Sequence, residues 1–196
     1  MTRISILACF ACGFLLFATF VQAEESAVYS KEDPAGDLNT AAETDSGFDL
    51  RKITIERKGS NKLEIGFEME GIIPKNPKKE TSILFFMDMD NNPETGPRYG
   101  EMAPDLNVVL FKTQRAMQWE AKVDKVSMVT ANENFTVQKL DLRGKTATVV
   151  VASPMFKQLG DFTFFAEVIQ ENQSVLDRLP GDLFLKTTFN PATPKP

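Results

Sequence analysis

The chain has no histidine and only two cysteines, Cys9 and Cys12. Lacking histidine, it has neither the commonest general base nor the commonest transition-metal ligand. Serine-histidine hydrolysis, zinc hydrolysis and histidine-ligated haem are excluded together. Both cysteines fall in an N-terminal segment that reads as a signal peptide. The exported product is therefore expected to have no disulfide, no thiolate metal site and no cysteine nucleophile. Lys and Arg form no dense patch interleaved with aromatics, which argues against a nucleic-acid partner. Lys75, Lys78 and Lys79 stand among Pro74, Asn76 and Pro77 and read as a solvated turn. No internal repeat and no second domain are evident. Beyond the N-terminal segment, no apolar run is long enough to span a bilayer.

That N-terminal segment carries the clearest positive signal. Arg3 supplies a short basic region, Ile4 to Phe20 is predominantly apolar, and Val21-Gln22-Ala23 ends on the small residue that a signal peptidase needs. Residues 1–23 are thus expected to be removed after Ala23, and the product to reach the periplasm or the medium. An uncleaved anchor is the alternative, and a lipoprotein site at Cys9 would come too early in the apolar run. The net charge is −5, with acids concentrated between Glu24 and Asp49. Residues 24–32 read as a flexible arm, 33–189 as one domain and 190–196 as a frayed proline-rich tail. About 170 residues are ample for one core without disulfides.

From Phe48 onward, short apolar segments alternate with turns. Lys62 to Glu70 places Leu63, Ile65, Phe67 and Met69 on one face and charged residues on the other, the period of a half-buried strand. Leu50, Ile53 and Ile55 mark the strand before it, and Lys58-Gly59-Ser60-Asn61 the hairpin turn between them. Ile83 to Met87 is a continuous apolar run, expected of a central strand covered on both faces. Further strands are expected over 107–112, 117–123, 126–130, 135–140, 146–152, 162–169 and 183–189. Ser153 and Pro154 predict the cap and first residue of one short helix. The whole reads as an all-β antiparallel sandwich with at most one short helix.

The most informative loop is Asp88-Met89-Asp90-Asn91-Asn92-Pro93-Glu94-Thr95-Gly96, which leaves a buried strand. Asp88, Asp90 and Asn92 are spaced by two, a pattern that can bring oxygen donors onto one hard cation such as Ca²⁺. The likeness to a helix-loop-helix calcium loop ends there, because Pro93 occupies the glycine position and Tyr99 the position of the bidentate Glu. The same residue types also suit an ordinary turn. Asp33 and Asp37 in Asp-Pro-Ala-Gly-Asp are weaker candidate ligands. As a catalytic alternative, Asp88 and Asp90 could work with Glu101 or Asp105 as paired carboxylates. No glycosidase signature surrounds them, so the reading is non-catalytic.

Asp33 to Asp37, then Gly47-Phe48-Asp49-Leu50, then a strand ending in Asp88 to Gly96, together resemble secreted bacterial domains of the DOMON-like, family-9 carbohydrate-binding-module-like superfamily. The resemblance covers about 33–189. It implies an immunoglobulin-like or jelly-roll-like sandwich that binds sugar or haem, sometimes beside structural calcium, with Asp33 to Asp37 near the sandwich edge and Asp88 to Gly96 as the turn of a central hairpin. The chain departs from that pattern in offering few rings for stacking: Trp119, Tyr29 and Tyr99. Trp119 and Tyr99 are the candidate ligand-stacking residues, although Trp119, in the alternating run Met117 to Glu120, reads more readily as core. Haem would need a Met and Lys pair, and most of the methionines fall at strand positions. The expectation is a carbohydrate-binding domain with a structural calcium ion. The alternative is a cell-envelope interaction module without a small ligand.

Overall fold

A computed structural model describes residues 28–33, 46–171, 174–179 and 185–188. The expected signal segment, Asp37 and the 190–196 tail lie outside these residues. Among the described residues, eleven strands form two antiparallel sheets. The first sheet runs in the order β1 (Val28–Glu32), β2 (Leu50–Arg57), β3 (Lys62–Met69), β8 (Thr146–Ala152) and β7 (Thr136–Arg143). The second runs β10 (Ser174–Leu179), β9 (Asp161–Gln170), β4 (Thr81–Asp88), β5 (Leu106–Lys112) and β6 (Glu120–Lys125). In it, β11 (Leu185–Thr188) shares the outer edge of β9 with β10. The fold is the expected all-β sandwich. Two short 3-10 turns, Ser46–Phe48 and Pro154–Gln158, are the helical pieces among the described residues.

Alternation in the sequence decides which face turns inward. Leu63, Ile65, Phe67 and Met69 of β3 are buried, and so are Ile53 and Ile55 of β2 across the hairpin. From the second sheet, Ile83, Phe85, Met87, Phe164, Ala166 and Val168 face them, and the Phe67 and Phe85 rings meet edge-on at 6.4 Å. Each of these side chains apart from Ala166 contributes about 1.5–3 kcal/mol by leaving water. Asp177 of β10 reaches the first sheet, where its Oδ2 accepts the Leu50 N–H at 2.5 Å beside the β2 irregularity. The 2–3 hairpin turns at Gly59 with φ 67°, a left-handed value that glycine adopts without penalty.

Several elements differ from the sequence reading. Val28–Glu32, expected in the flexible arm, pairs with β2 as an edge strand. The strand expected at Met117 begins at Glu120, because 113–118 turn first and leave Met117 exposed. Residues 126–130 are a turn, with the buried Thr130 hydroxyl donating to the Asp105 carbonyl at 2.7 Å. β10 was not anticipated, because Asp177 and Arg178 interrupt its apolar pattern. β4 is covered fully on its inner face, whereas Leu84 and Phe86 on its outer face are half-buried.

Candidate metal site at the β4–β5 loop

β4 and β5 pair with Met87 opposite Leu106, so the same register sets Asp88 opposite Asp105 at the mouth of the hairpin. Opposed like charges on neighbouring strands destabilise a sheet. Here both residues are also buried, Asp88 at 3% exposure and Asp105 at 0%. The exposed Asp90 joins them, and one carboxylate oxygen from each of the three lies within 4.8 Å of the others.

The loop between the strands is folded onto itself in a way that holds this group. Asp90 Oδ1 accepts the Asn92 N–H at 2.9 Å and the Thr95 hydroxyl at 3.2 Å, closing a tight turn in which Asn91 takes a left-handed φ of 52°. Asn91 ties the turn to β9, its side-chain amide donating to the Asp161 carbonyl at 2.9 Å. The Met89 N–H donates to Asp105 Oδ2 at 2.8 Å, and the Ser127 hydroxyl donates to Asp105 Oδ1. Asp88 Oδ2 accepts the Ala103 N–H at 3.4 Å. Asp88 Oδ1 is buried and meets no donor at hydrogen-bonding geometry among the described residues.

Electrostatics follow from that enclosure. Burial pushes the Asp88 carboxyl above its ordinary value, against the pull of the Ala103 and Asn91 backbone amides, and the charges of Asp105 and Asp90 add to the rise. Burial likewise raises Asp105, opposed by the Ser127 hydroxyl and the Met89 amide. Asp88 and Asp105 bind protons more readily than a free aspartate, as buried acids missing a counter-charge do. Three carboxylates of hard oxygen, one buried oxygen among them without a donor, fit a hard cation of the calcium type.

Of the other expected ligands, Asn92 lies beside this group, its N–H donating to Asp90 Oδ1, whereas Asp33 is not part of it. Asn92 shapes the turn, its side-chain oxygen accepting the Glu94 N–H at 3.1 Å. Asp33 follows β1 on the first sheet, where its N–H donates to the Arg51 carbonyl at 2.9 Å and its neighbours in a shallow groove include Arg51, Lys52 and Lys145. Asp37 lies outside the described residues. Of the two acids weighed as catalytic partners, Asp105 joins the cluster and Glu101 does not.

Neither aromatic candidate presents a free flat ring. Trp119 is 7% exposed and packs against Phe48 at 6.3 Å, with its indole N–H donating to the Pro74 carbonyl at 3.0 Å. Tyr99 is half-buried and lies over the stacked pair Phe86 and Phe165, at 5.8 and 4.8 Å. Its hydroxyl donates to Glu167 Oε1 at 2.7 Å and accepts from Arg178 Nη2 at 2.7 Å, while the Arg178 guanidinium covers the ring at 5.4 Å. Tyr99 thereby fastens the far side of the loop to the outer face of the second sheet. Among the described residues, no helix is long and apolar enough to cross a membrane. No protein-family model matches the chain, and no curated protein matches it.

Proposed function

We propose that this is an exported, non-catalytic binding domain whose sandwich is completed by a calcium ion held by Asp88, Asp90 and Asp105. The observation that carries this reading is the buried Asp88 Oδ1, which makes no hydrogen bond, on a carboxylate grouped with Asp90 in the same loop and with Asp105 across the mouth of the hairpin. A cation there would neutralise the cluster and hold the two ends of the β4–β5 loop together; it would supply charge compensation and rigidity. One oxygen of each carboxylate lies within 4.8 Å of the others, which suits sharing an ion better than the roughly 6.5–9.5 Å separation of inverting glycosidases. Export rests on the Arg3 to Ala23 pattern, and carbohydrate remains the favoured ligand class.

Thermal unfolding in excess chelator and then in about 1 mM Ca²⁺ tests the reading. A site with a Kd of about 10 μM gains about 2.7 kcal/mol by mass action, or about 5–10 °C for a chain of this size. Equal unfolding temperatures in the two buffers would reduce the 88–96 loop to a turn and remove the reading.

A further inference from the structure

The connection between β3 and β4 and the turn between β5 and β6 share one rim of the sandwich, at the opposite end of β4 and β5 from the carboxylate cluster. The two segments are joined. The Trp119 indole N–H donates to the Pro74 carbonyl at 3.0 Å, and the Gln114 side-chain amide donates to the Lys78 carbonyl at 2.9 Å. Three large apolar side chains are exposed among the described residues, and two of them stand on this rim, Ile72 at 70% and Met117 at 99%. Each lies two positions from the Trp119–Pro74 contact.

Ordered backbone presents both side chains. Gly71 lies so close to Gly47 that an added Cβ would come within 2.5 Å of the Gly47 Cα, and the Ile73 N–H donates to the Gly144 carbonyl at 2.9 Å. Ile72 is thus clamped on both sides while its side chain faces solvent. The turn bearing Met117 is organised by Lys112, whose buried ammonium donates to the Thr113 and Ala116 carbonyls at 3.2 and 2.5 Å. An isolated exposed apolar residue is ordinary. Two on one rim, each held out by buried contacts, are fixed apolar projections.

Charge decides what they fit. Residues 71–79 and 113–118 carry Lys75, Lys78, Lys79 and Arg115 and no acid, in a chain whose net charge is −5. The flanking acids Glu70 and Glu80 are engaged, Glu70 with Arg51 at 3.3 Å and Glu80 with the Gln114 N–H at 3.2 Å. Positive charge therefore surrounds the apolar tips, and the acidic cluster lies at the far rim. A nucleic acid would use the charges and leave Ile72 and Met117 in water. An anionic bilayer takes both, because apolar side chains reach the acyl boundary while Lys and Arg stay among the headgroups. We infer that this rim docks on an anionic lipid bilayer, with Ile72 and Met117 entering the interface and Lys75, Lys79 and Arg115 meeting the headgroup phosphates. This goes beyond the cation reading and does not depend on it.

The test is co-sedimentation with vesicles of phosphatidylcholine alone and of phosphatidylcholine and phosphatidylglycerol in equal parts. The chain from Glu24 onward is used, which keeps every described residue and omits the apolar 4–20 run. Chelator is present throughout, so the result is independent of the cation reading. The inference expects binding to the mixed vesicles that exceeds binding to phosphatidylcholine and that weakens with salt. Ile72→Asp combined with Met117→Asp should lower partitioning about tenfold or more, and so should Lys75→Glu combined with Lys79→Glu. Thermal unfolding of both variants should stay near that of the parent, because none of the four side chains is buried. The same charge change made at the exposed Lys122 of β6 and Lys139 of β7 should have far less effect. No binding, or equal binding to the two vesicle types, overturns the inference. Binding that survives the two Asp substitutions, or that falls as far with Lys122→Glu and Lys139→Glu, also overturns it.

Discussion

A buried carboxylate oxygen that meets no donor costs a fold about 1–3 kcal/mol, and Asp88 Oδ1 is such an atom, set against Asp105 on the neighbouring strand. Asp88→Asn keeps the shape, retains an acceptor for the Ala103 N–H and supplies a donor toward Asp105. In chelator at neutral pH this variant is expected to be more stable than the parent by about 1 kcal/mol, while losing the gain from Ca²⁺. Urea unfolding with and without Ca²⁺ reads both effects, and a destabilised variant in chelator would argue against like-charge strain at this site. The pH dependence has a definite sign. Because folding raises Asp88 and Asp105 above their ordinary values, their contribution is fully present below about pH 4 and is lost as pH rises through the raised folded values. In chelator, these two groups should therefore cost stability between about pH 4 and neutrality. Calcium competes with the same protons, so the thermal gap between calcium and chelator should be narrow near pH 4 and widen toward pH 7. A gap independent of pH would place the ion elsewhere.

At the scale of elements, alternation made β2, β3 and β8 readable, since each has one wet face and one dry face. The segment from Met117 to Glu120 alternates in sequence as well, but a turn over 113–118 delays the strand and swings Trp119 inward against Phe48. Trp119→Ala should consequently cost about 3–5 kcal/mol in urea unfolding, as removal of a buried aromatic does. An unchanged unfolding midpoint would contradict its place in the core. Two of the three candidate ligands could be read from spacing, because Asp88 and Asp90 leave a rigid strand two residues apart. Asp105 was not readable as a ligand, because seventeen positions separate it from Asp88 and only the hairpin register places it opposite. Had β4 and β5 been paired by their apolar cores, Met87 against Leu106, the third carboxylate would have followed. β10 was hidden for a related reason. Asp177 and Arg178 spend their charges on distant partners, Leu50 and Glu167, that a local pattern does not reveal.

At the scale of the whole molecule, two sheets enclose an aromatic-rich core, and the β4–β5 loop at their rim is held by side-chain hydrogen bonds from both of its ends. Asp88, Asp90 and Asp105 gather at one side of that loop, and Tyr99 locks its other side through Glu167 and Arg178. The sandwich class was legible because it depends on many strands at once and survives errors in any one of them. The site depends on a single register and on the fold of one seventeen-residue connection, neither of which composition records. The central claim is that this connection closes on an ion. Its most direct measurement is calorimetric titration of Ca²⁺ into the chelator-stripped protein. The account predicts saturable binding of one ion per chain, abolished by Asp88→Asn combined with Asp105→Asn. No binding heat at any temperature, or binding that survives the double substitution, would contradict it.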